Sequence, residues 1–320
     1  MKGLGKMHNS LNALYPDNKQ EFNAMFPDEK SCIYYLKRLR WPKGFVCPNC
    51  KLSSEMSWES SRERSVCPKC GYQATATANT IFDKTRTPLK LWFEAAWQIT
   101  TAKNGVSAKT LERTIGISYR TAWMMLHRFR VAMVVAERTQ LSGNVEIDET
   151  FVGGEEHGGK RGRGTEKSIV AIAVEIIEPT GFGRIRMRTI PDASSDSLLP
   201  FIKDAIAPHT RITTDGWSGY SGLEDMPYEW NRIVLSSADD LAHIVMPGVH
   251  RVASLMKRWI LGTHQGSVGD EHLQSYLEEY TFRFNRRNST SRGLVFYRLL
   301  QNAICTDPVT EKDITHGYHW

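Results

Sequence analysis

The chain has 320 residues, of which 41% are hydrophobic and 24% charged, and this composition is typical of soluble globular proteins with two or three domains. The net charge of +6 is compatible with a nucleic-acid partner. The sequence contains neither a run of about 18 apolar residues nor a secretory signal, so we expect no membrane helix and a cytoplasmic location. Four of the six cysteines form two Cys-x-x-Cys pairs, which favours a metal site in a reducing compartment over a disulfide framework.

The first predicted domain, residues 1–44, is a polar lead-in followed by one helix. The helix is predicted over 29–40, with Asp28 as its N-cap and Trp41-Pro42 as its end. Its apolar residues fall on one face and its basic residues on another, so the basic face is either solvated or in contact with DNA.

Residues 45–82 are predicted to form a zinc ribbon. Two Cys-x-x-Cys turns are separated by 16 residues, and four thiolates satisfy the tetrahedral coordination of Zn²⁺. We expect a hairpin over 56–64 and a strand over 72–77. The alternatives are a redox motif, which would not come as a matched pair, and two disulfides. The predicted ligands of this single structural zinc ion are Cys47, Cys50, Cys67 and Cys70.

Residues 83–140 are predicted to form a helix-turn-helix region that binds DNA. A helix over 89–101 is followed by two further helices that Ser107 and Ser118 cap, with Gly116 in the turn between them. An ordinary packing unit of three helices is the alternative interpretation. The predicted DNA contacts are Tyr119, Arg120 and Thr121 at the start of the second of these helices, and Arg128, which could reach a phosphate.

From residue 141 the pattern changes to alternating strands and helices, which predicts an α/β domain over 141–290. The order is three strands, a helix, a strand, a short helix, a strand and two long helices. This is the topology of the ribonuclease H fold, and a C-terminal helix and tail would follow over 291–320. The predicted strands cover 144–152, 168–177, 184–190, 211–214 and 228–235, and the predicted helices cover 196–207, 217–223, 249–261 and 270–287.

Two aspartates occupy positions where this topology places the carboxylates of a two-metal phosphoryl-transfer site. Asp148 lies on the first strand, and Asp215 ends the fourth strand, which neighbours the first. Glu149 points to the other face of its strand, which predicts a structural role. A solvated acidic strand and an Asp-Gly turn are the plainer interpretations of these residues.

The third position of such a site lies on the helix after the fifth strand, which contains no carboxylate. His250 and Lys257 lie seven residues apart on one face of this helix. A neutral imidazole can bind a divalent ion, although Mg²⁺ prefers oxygen, and a protonated lysine suits a phosphate. The acidic alternatives are Asp239, Asp240 and Glu279.

The sequence contains, in this order, the motifs CPNC and CPKCGY, the helix-turn-helix, EIDETFVGG, TTDGWSGY, VHRVASLMKRWILGTHQG and TFRFNRR. Together these motifs resemble bacterial insertion-sequence transposases with an N-terminal zinc ribbon and an ISXO-like, DDE-type transposase domain. The resemblance covers about residues 25–300. It implies that Asp148, Asp215 and His250 bind two Mg²⁺ (or Mn²⁺) ions, with Lys257 as a fourth catalytic residue. In that family the third position is Glu, Asn or His, seven residues before a lysine.

The resemblance predicts a DNA transposase that binds the terminal inverted repeats of its element, cuts the ends and joins the 3′-hydroxyl to target DNA. Synapsis of two ends implies a homodimer or higher oligomer on double-stranded DNA, associated with the nucleoid. The basic loop residues Lys160, Arg161 and Arg163 are further predicted DNA contacts, and a solvated flexible loop is the alternative interpretation. The alternatives are a metal-dependent nuclease without strand transfer and a DNA-binding regulator whose ribonuclease H-like domain is inert.

Overall fold

The structure is a computed structural model, in which the chain divides into two compact units. One unit comprises residues 1–135 with 288–320, and the other comprises residues 136–287. The described residues are 15–54, 58–60, 63–134, 138–153, 167–179, 181–234, 246–266 and 268–316. Within these ranges, no helix has the length and apolar character needed to cross a membrane.

The elements are numbered in chain order. Helices α1 to α5 are Lys19–Met25, Glu29–Arg40, Leu89–Thr101, Ala108–Ile115 and Tyr119–Met133. Helices α6 to α10 are Ser195–Ala205, Pro247–His264, Asp270–Phe284, Arg292–Cys305 and Glu311–Thr315, and a 3₁₀ helix covers Ser218–Asp225. Strands β1 to β5 are Phe45–Val46, Ser53–Ser54, Trp58–Glu59, Ser65–Val66 and Gln73–Ala74. Strands β6 to β10 are Asn144–Val152, Ser168–Ile177, Gly181–Ile190, Arg211–Asp215 and Glu229–Ile233.

Aromatic side chains from the C-terminal end of α1 and its cap residue Phe26, from α3 and from α9 pack together in the core of the first unit. The rings of Phe26 and Phe93 lie 4.8 Å apart edge to face, and Phe296 lies 5.9 Å from each of them. Aromatic pairs in this geometry add to the free energy gained by burying the rings. The predicted helices over 29–40 and 89–101 are confirmed with these bounds.

Helices α4 and α5 have the caps and the turn that the sequence predicts. The side chain of Ser107 accepts a hydrogen bond from the N–H of Thr110, and that of Ser118 accepts one from the N–H of Thr121. Gly116 ends α4 at a φ of 71°, a backbone conformation that favours glycine. The local geometry is therefore confirmed, and the DNA-binding role of this pair remains a prediction.

The cysteine-rich segment contains only two-residue strands among its described residues. β1 pairs with β2, and β4 pairs with both β3 and β5, all antiparallel. The strand predicted over 72–77 is reduced to Gln73–Ala74. The hairpin predicted over 56–64 lies partly outside the described residues.

The second unit contains a mixed five-stranded sheet in the order β10-β9-β6-β7-β8. β6, β7 and β8 form an antiparallel meander, while β9 runs parallel to both β6 and β10. This is the strand order of the ribonuclease H fold, so the predicted fold class is confirmed. The bounds of β6 and β7 agree with the prediction, β8 begins earlier, at Gly181, and α7 extends to His264.

Helices cover both faces of this sheet, and the alternation along β6 decides which face each side chain joins. Val145 and Ile147 pack with α6 and the 3₁₀ helix, whereas Val152 packs with α7 and α8. Asp148 therefore belongs to the α7 face, and Glu149 belongs to the opposite face.

Candidate functional site

Asp148 and Asp215 lie on neighbouring parallel strands, on the same face of the sheet. The register between β6 and β9 ends with the pair Glu146 and Thr213. Each aspartate lies two residues beyond this last pair, so both side chains point to the α7 face. Sheets of this kind bind ligands at the carboxyl ends of their strands.

His250 lies in the first turn of α7, next to Asp148. Its Nδ1 atom is 3.7 Å from Asp148 Oδ2, and both side chains are partly exposed. Two ligand atoms that each lie about 2.1 Å from one metal ion are about 3.0 to 4.2 Å apart, depending on the angle between them. The distance between these two atoms therefore fits a shared divalent ion.

Lys257 lies two turns further along α7, with its side chain partly exposed. Partial burial and the neighbouring charge of Lys167 lower its pKa, and the negative charge of Asp148 acts in the opposite direction. A charged amine so placed can bind a phosphate that enters between it and the carboxylate.

Asp215 is fixed by the turn that follows β9. Its Oδ1 atom accepts a hydrogen bond of 3.0 Å from the backbone N–H of Trp217. The indole Nε1 of Trp217 in turn donates to the carbonyl oxygen of Ala193, at 2.7 Å. The Asp-Gly turn that the sequence suggests is thus present, and it orients the carboxylate.

Glu149 accepts a hydrogen bond on the opposite face of the sheet. The hydroxyl of Tyr220, which is fully buried, donates to Glu149 Oε2 at 2.9 Å. Burial first, and then the charges of Glu149, Asp148 and Asp215, raise the pKa of Tyr220 well above its usual value of 10. The hydroxyl therefore stays protonated, and Glu149 has the structural surroundings expected of it.

Glu146 is a residue of this region that sequence reasoning missed. It is buried on β6, two residues before Asp148, and its Oε2 accepts a hydrogen bond of 2.8 Å from the N–H of Val249 in α7. The signal that could have revealed it is a carboxylate on the same strand face as Asp148, combined with a glycine at the start of the following helix.

The four cysteines of the ribbon come together as the sequence predicts. The Sγ atoms of Cys47 and Cys70 are 3.7 Å apart, and those of Cys50 and Cys67 are 3.6 Å apart. Four sulfur atoms at about 2.3 Å from a tetrahedral Zn²⁺ ion lie about 3.8 Å from one another. The cysteines therefore fit a zinc ion.

Cys70 has surroundings that favour the thiolate form that zinc requires. Hydrogen bonds from the backbone N–H of Tyr72 and from the side chain of Asn49 lower the pKa of Cys70 to about 6. The thiol is therefore easily deprotonated when the metal binds.

In the described part of the chain, the four cysteines are the one group of at least three metal-ligating side chains whose ligand atoms all lie within 4.8 Å of one another. Asp148 and His250 form a close pair, and Asp215 does not join them in a group of this size. Of the acidic alternatives, Glu279 is fully buried on α8. Asp239 and Asp240 lie outside the described residues.

The predicted DNA contacts on α5 have different surroundings. Tyr119 is half exposed, and Arg120 forms an ion pair with Glu311 of α10. Thr121 takes part in the N-terminal cap of α5, because its Oγ1 atom lies 2.9 Å from the Oγ atom of Ser118. The guanidinium of Arg128 lies 6.0 Å from the ring of Trp92 and is partly buried. Lys160, Arg161 and Arg163 lie outside the described residues.

Two models of protein families match the chain. An ISXO2-like transposase domain matches residues 140–285, and a transposase zinc-ribbon domain matches residues 27–73. A similar protein of Halobacterium salinarum is described as an uncharacterized protein in transposable element ISH50. It is 27% identical over 276 residues, which cover 81% of this chain and 91% of that protein.

Two further similarities cover smaller parts of the chain. An uncharacterized transposase-like protein of Haemophilus influenzae is 24% identical over 115 residues, which cover 36% of this chain and 92% of that protein. The crystal structure of the catalytic core domain of BIV integrase is 16% identical, with a TM-score of 0.32, and the match covers 50% of this chain and 93% of that domain.

Proposed function

Because the chain belongs to the insertion-sequence transposases with a zinc ribbon and an ISXO2-like transposase domain, we propose that it cuts DNA at the ends of its element and joins the 3′-hydroxyl groups to target DNA. The observation that supports this most is the 3.7 Å distance between Asp148 and His250, with Asp215 on the same face of the neighbouring strand. Both reactions are phosphoryl transfers, and carboxylates that hold two divalent ions serve this chemistry.

The proposed metal ligands are Asp148, Asp215 and His250. Two Mg²⁺ or Mn²⁺ ions bound there would activate the attacking oxygen and stabilise charge on the entering and leaving oxygens. β6 neighbours both β9, which carries Asp215, and α7, which carries His250. Asp148 would therefore hold the ions together with Asp215 on one side and His250 on the other, and this arrangement does not require Asp215 to lie close to His250.

Lys257 is proposed to hold a phosphate of the strand that is cut. It lies on the same exposed side of α7 as His250 and close enough to Asp148 for the carboxylate to raise its pKa against the effect of burial. A protonated amine at this place would position the phosphate between itself and the metal ligands.

The zinc ribbon and the α4–α5 pair are proposed to bind the inverted repeats. Tyr119 and Arg120 lie at the start of α5, where helix-turn-helix proteins contact base edges. Base contacts of this kind would position the end of the element, and the second unit would then cut the DNA there. Two ends must be held at the same time, so the active species is proposed to be a homodimer or a higher oligomer.

The test is an assay with a labelled duplex that carries the inverted repeat of the element, in Mg²⁺ or Mn²⁺, with a plasmid as target. Wild-type protein is expected to cut and join, whereas Asp148→Asn and Asp215→Asn should retain DNA binding and lose both reactions. The matched control is Asp204→Asn, because Asp204 is exposed and forms an ion pair with Arg188 on the same unit. It should cut like wild type.

Three results would contradict parts of this proposal. Cleavage by Asp148→Asn at the wild-type rate would refute the site. Cleavage without joined product in the wild type would leave a metal-dependent nuclease. Binding without any cleavage under both metals would instead favour the DNA-binding regulator.

A further inference from the structure

The start of α7 is held by a carboxylate from the neighbouring strand. The first residues of an α-helix have N–H groups without partners inside the helix. Met246, the residue before α7, provides no side-chain cap, and Pro247 has no N–H group. Glu146 supplies the missing acceptor. It accepts hydrogen bonds from the N–H groups of Val249, at 2.8 Å, and of Gly248.

The helix and the strand approach each other closely at this contact. A Cβ atom on Gly248 would lie 2.4 Å from Ile176 Cδ1 and 2.9 Å from Glu146 Oε2. Real Cβ atoms essentially never lie so close to other atoms, so any residue larger than glycine would have to displace the helix end or its neighbours. Glycine at this position therefore allows the carboxylate to reach the backbone of the first turn.

This contact lies directly beside the proposed metal ligands. Glu146 and Asp148 are two residues apart on β6 and share a face, and His250 follows Val249 in α7. We propose that Glu146 is a positioning residue, which fixes the first turn of α7 on β6 and thereby sets His250 against Asp148. The inference rests on the proposed function, because it concerns the same metal site.

The burial of Glu146 suits this role better than a role as a metal ligand. The side chain is 7% exposed, and its Oε2 is already bonded to the helix backbone. Burial raises its pKa, and the two backbone hydrogen bonds act in the opposite direction. The positive end of the helix dipole also favours a carboxylate here. Substitution of a residue that orients a metal ligand in this way commonly lowers the metal affinity by about 10- to 100-fold.

The test measures the affinity of the full-length, zinc-loaded protein for Mn²⁺ by electron paramagnetic resonance. Glu146→Leu, which has no acceptor for the N–H groups of α7, is expected to weaken Mn²⁺ binding by about 10- to 100-fold, and His250→Ala should also weaken it. The double variant should bind Mn²⁺ no more weakly than His250→Ala alone, because Glu146 acts through His250. A purely structural role would not produce this dependence on His250.

Glu175→Leu is the matched control. Glu175 is a partly buried carboxylate on β7 of the same sheet, and its hydrogen bonds come from Arg184 and from the N–H of Ser142. Its removal should leave the Mn²⁺ affinity unchanged. If Glu146→Leu does not fold, Gly248→Ala replaces it in the same cycle, because the added methyl group would displace the Glu146 carboxylate from the start of α7 without removing it.

The outcomes separate this inference from the proposed function. Wild-type Mn²⁺ affinity in folded Glu146→Leu would overturn the inference. An effect of Glu146→Leu that persists in full in the His250→Ala background would overturn it as well. If Asp148→Asn binds Mn²⁺ like wild type, the proposed metal site itself is wrong and the inference fails with it.

Discussion

Replacing Tyr220 with phenylalanine removes one buried hydroxyl group from the second unit. The ring is fully buried, so phenylalanine keeps its packing, and among the described residues the bond that is lost is the one to Glu149 Oε2. A hydrogen bond to a charged group contributes about 1.5 to 3 kcal/mol to stability. Since about 1.4 kcal/mol corresponds to a factor of ten in an equilibrium constant, amide exchange along β6 should accelerate about 10- to 150-fold.

Hydrogen-exchange mass spectrometry of peptides that cover β6 is the assay, because it does not require the two units to unfold together. Tyr228→Phe is the control. The hydroxyl of Tyr228 donates to the neutral carbonyl of Ile206 at 3.2 Å, and a bond of this kind contributes about 0.5 to 1.5 kcal/mol. The reasoning is refuted if Tyr220→Phe accelerates exchange in β6 no more than Tyr228→Phe does.

Three further predictions concern the zinc site, the DNA-binding helix and acid stability. Cys70→Ser should lose the bound zinc and the exchange protection of the ribbon, as measured by elemental analysis and hydrogen exchange, whereas Cys305→Ser should keep both. Glu311→Gln removes the exposed ion pair with Arg120, which is worth about 0.2 to 1 kcal/mol, and so makes the guanidinium available to DNA. The variant should bind inverted-repeat DNA up to about fivefold more tightly at low salt, and weaker binding would contradict the proposed contact. Burial raises the pKa of Glu175. The hydrogen bonds that its carboxylate accepts, above all those from Arg184, have the larger combined effect and lower the pKa below 4.5. The stability that the ionised Glu175 carboxylate contributes is therefore complete above pH 4.5, and it is lost as the pH falls through the pKa of Glu175 in the folded protein. Glu175→Gln should consequently show a shallower loss of stability in acid titrations.

Much of the local structure follows from short-range patterns in the sequence. Ser107, Gly116 and Ser118 mark the ends of α4 and α5 because a cap or a left-handed turn depends on the residue itself and its immediate neighbours. The long apolar run of β7 similarly predicts a buried strand. The ends of α7 were less predictable, because that helix continues to His264 through contacts of its buried face with the sheet and α8.

The candidate site could be predicted in part. The fold topology places Asp148 and Asp215 on adjacent strands, and the sequence resemblance adds His250 and Lys257. The surroundings of Arg128 could not be predicted, because a basic residue on an amphipathic helix can face either solvent or another helix. Its position beside Trp92 depends on how α5 packs against α3.

The sequence by itself determined the four cysteine ligands, the helix caps and the order of strands, because spacing and side-chain alternation along the chain encode them. Only the tertiary structure decided that Glu146 reaches the backbone at Gly248 and that His250 lies 3.7 Å from Asp148. These contacts join segments about 100 residues apart. They depend on the register of β6 and on how closely a helix can approach it, and no local pattern in the chain specifies either quantity.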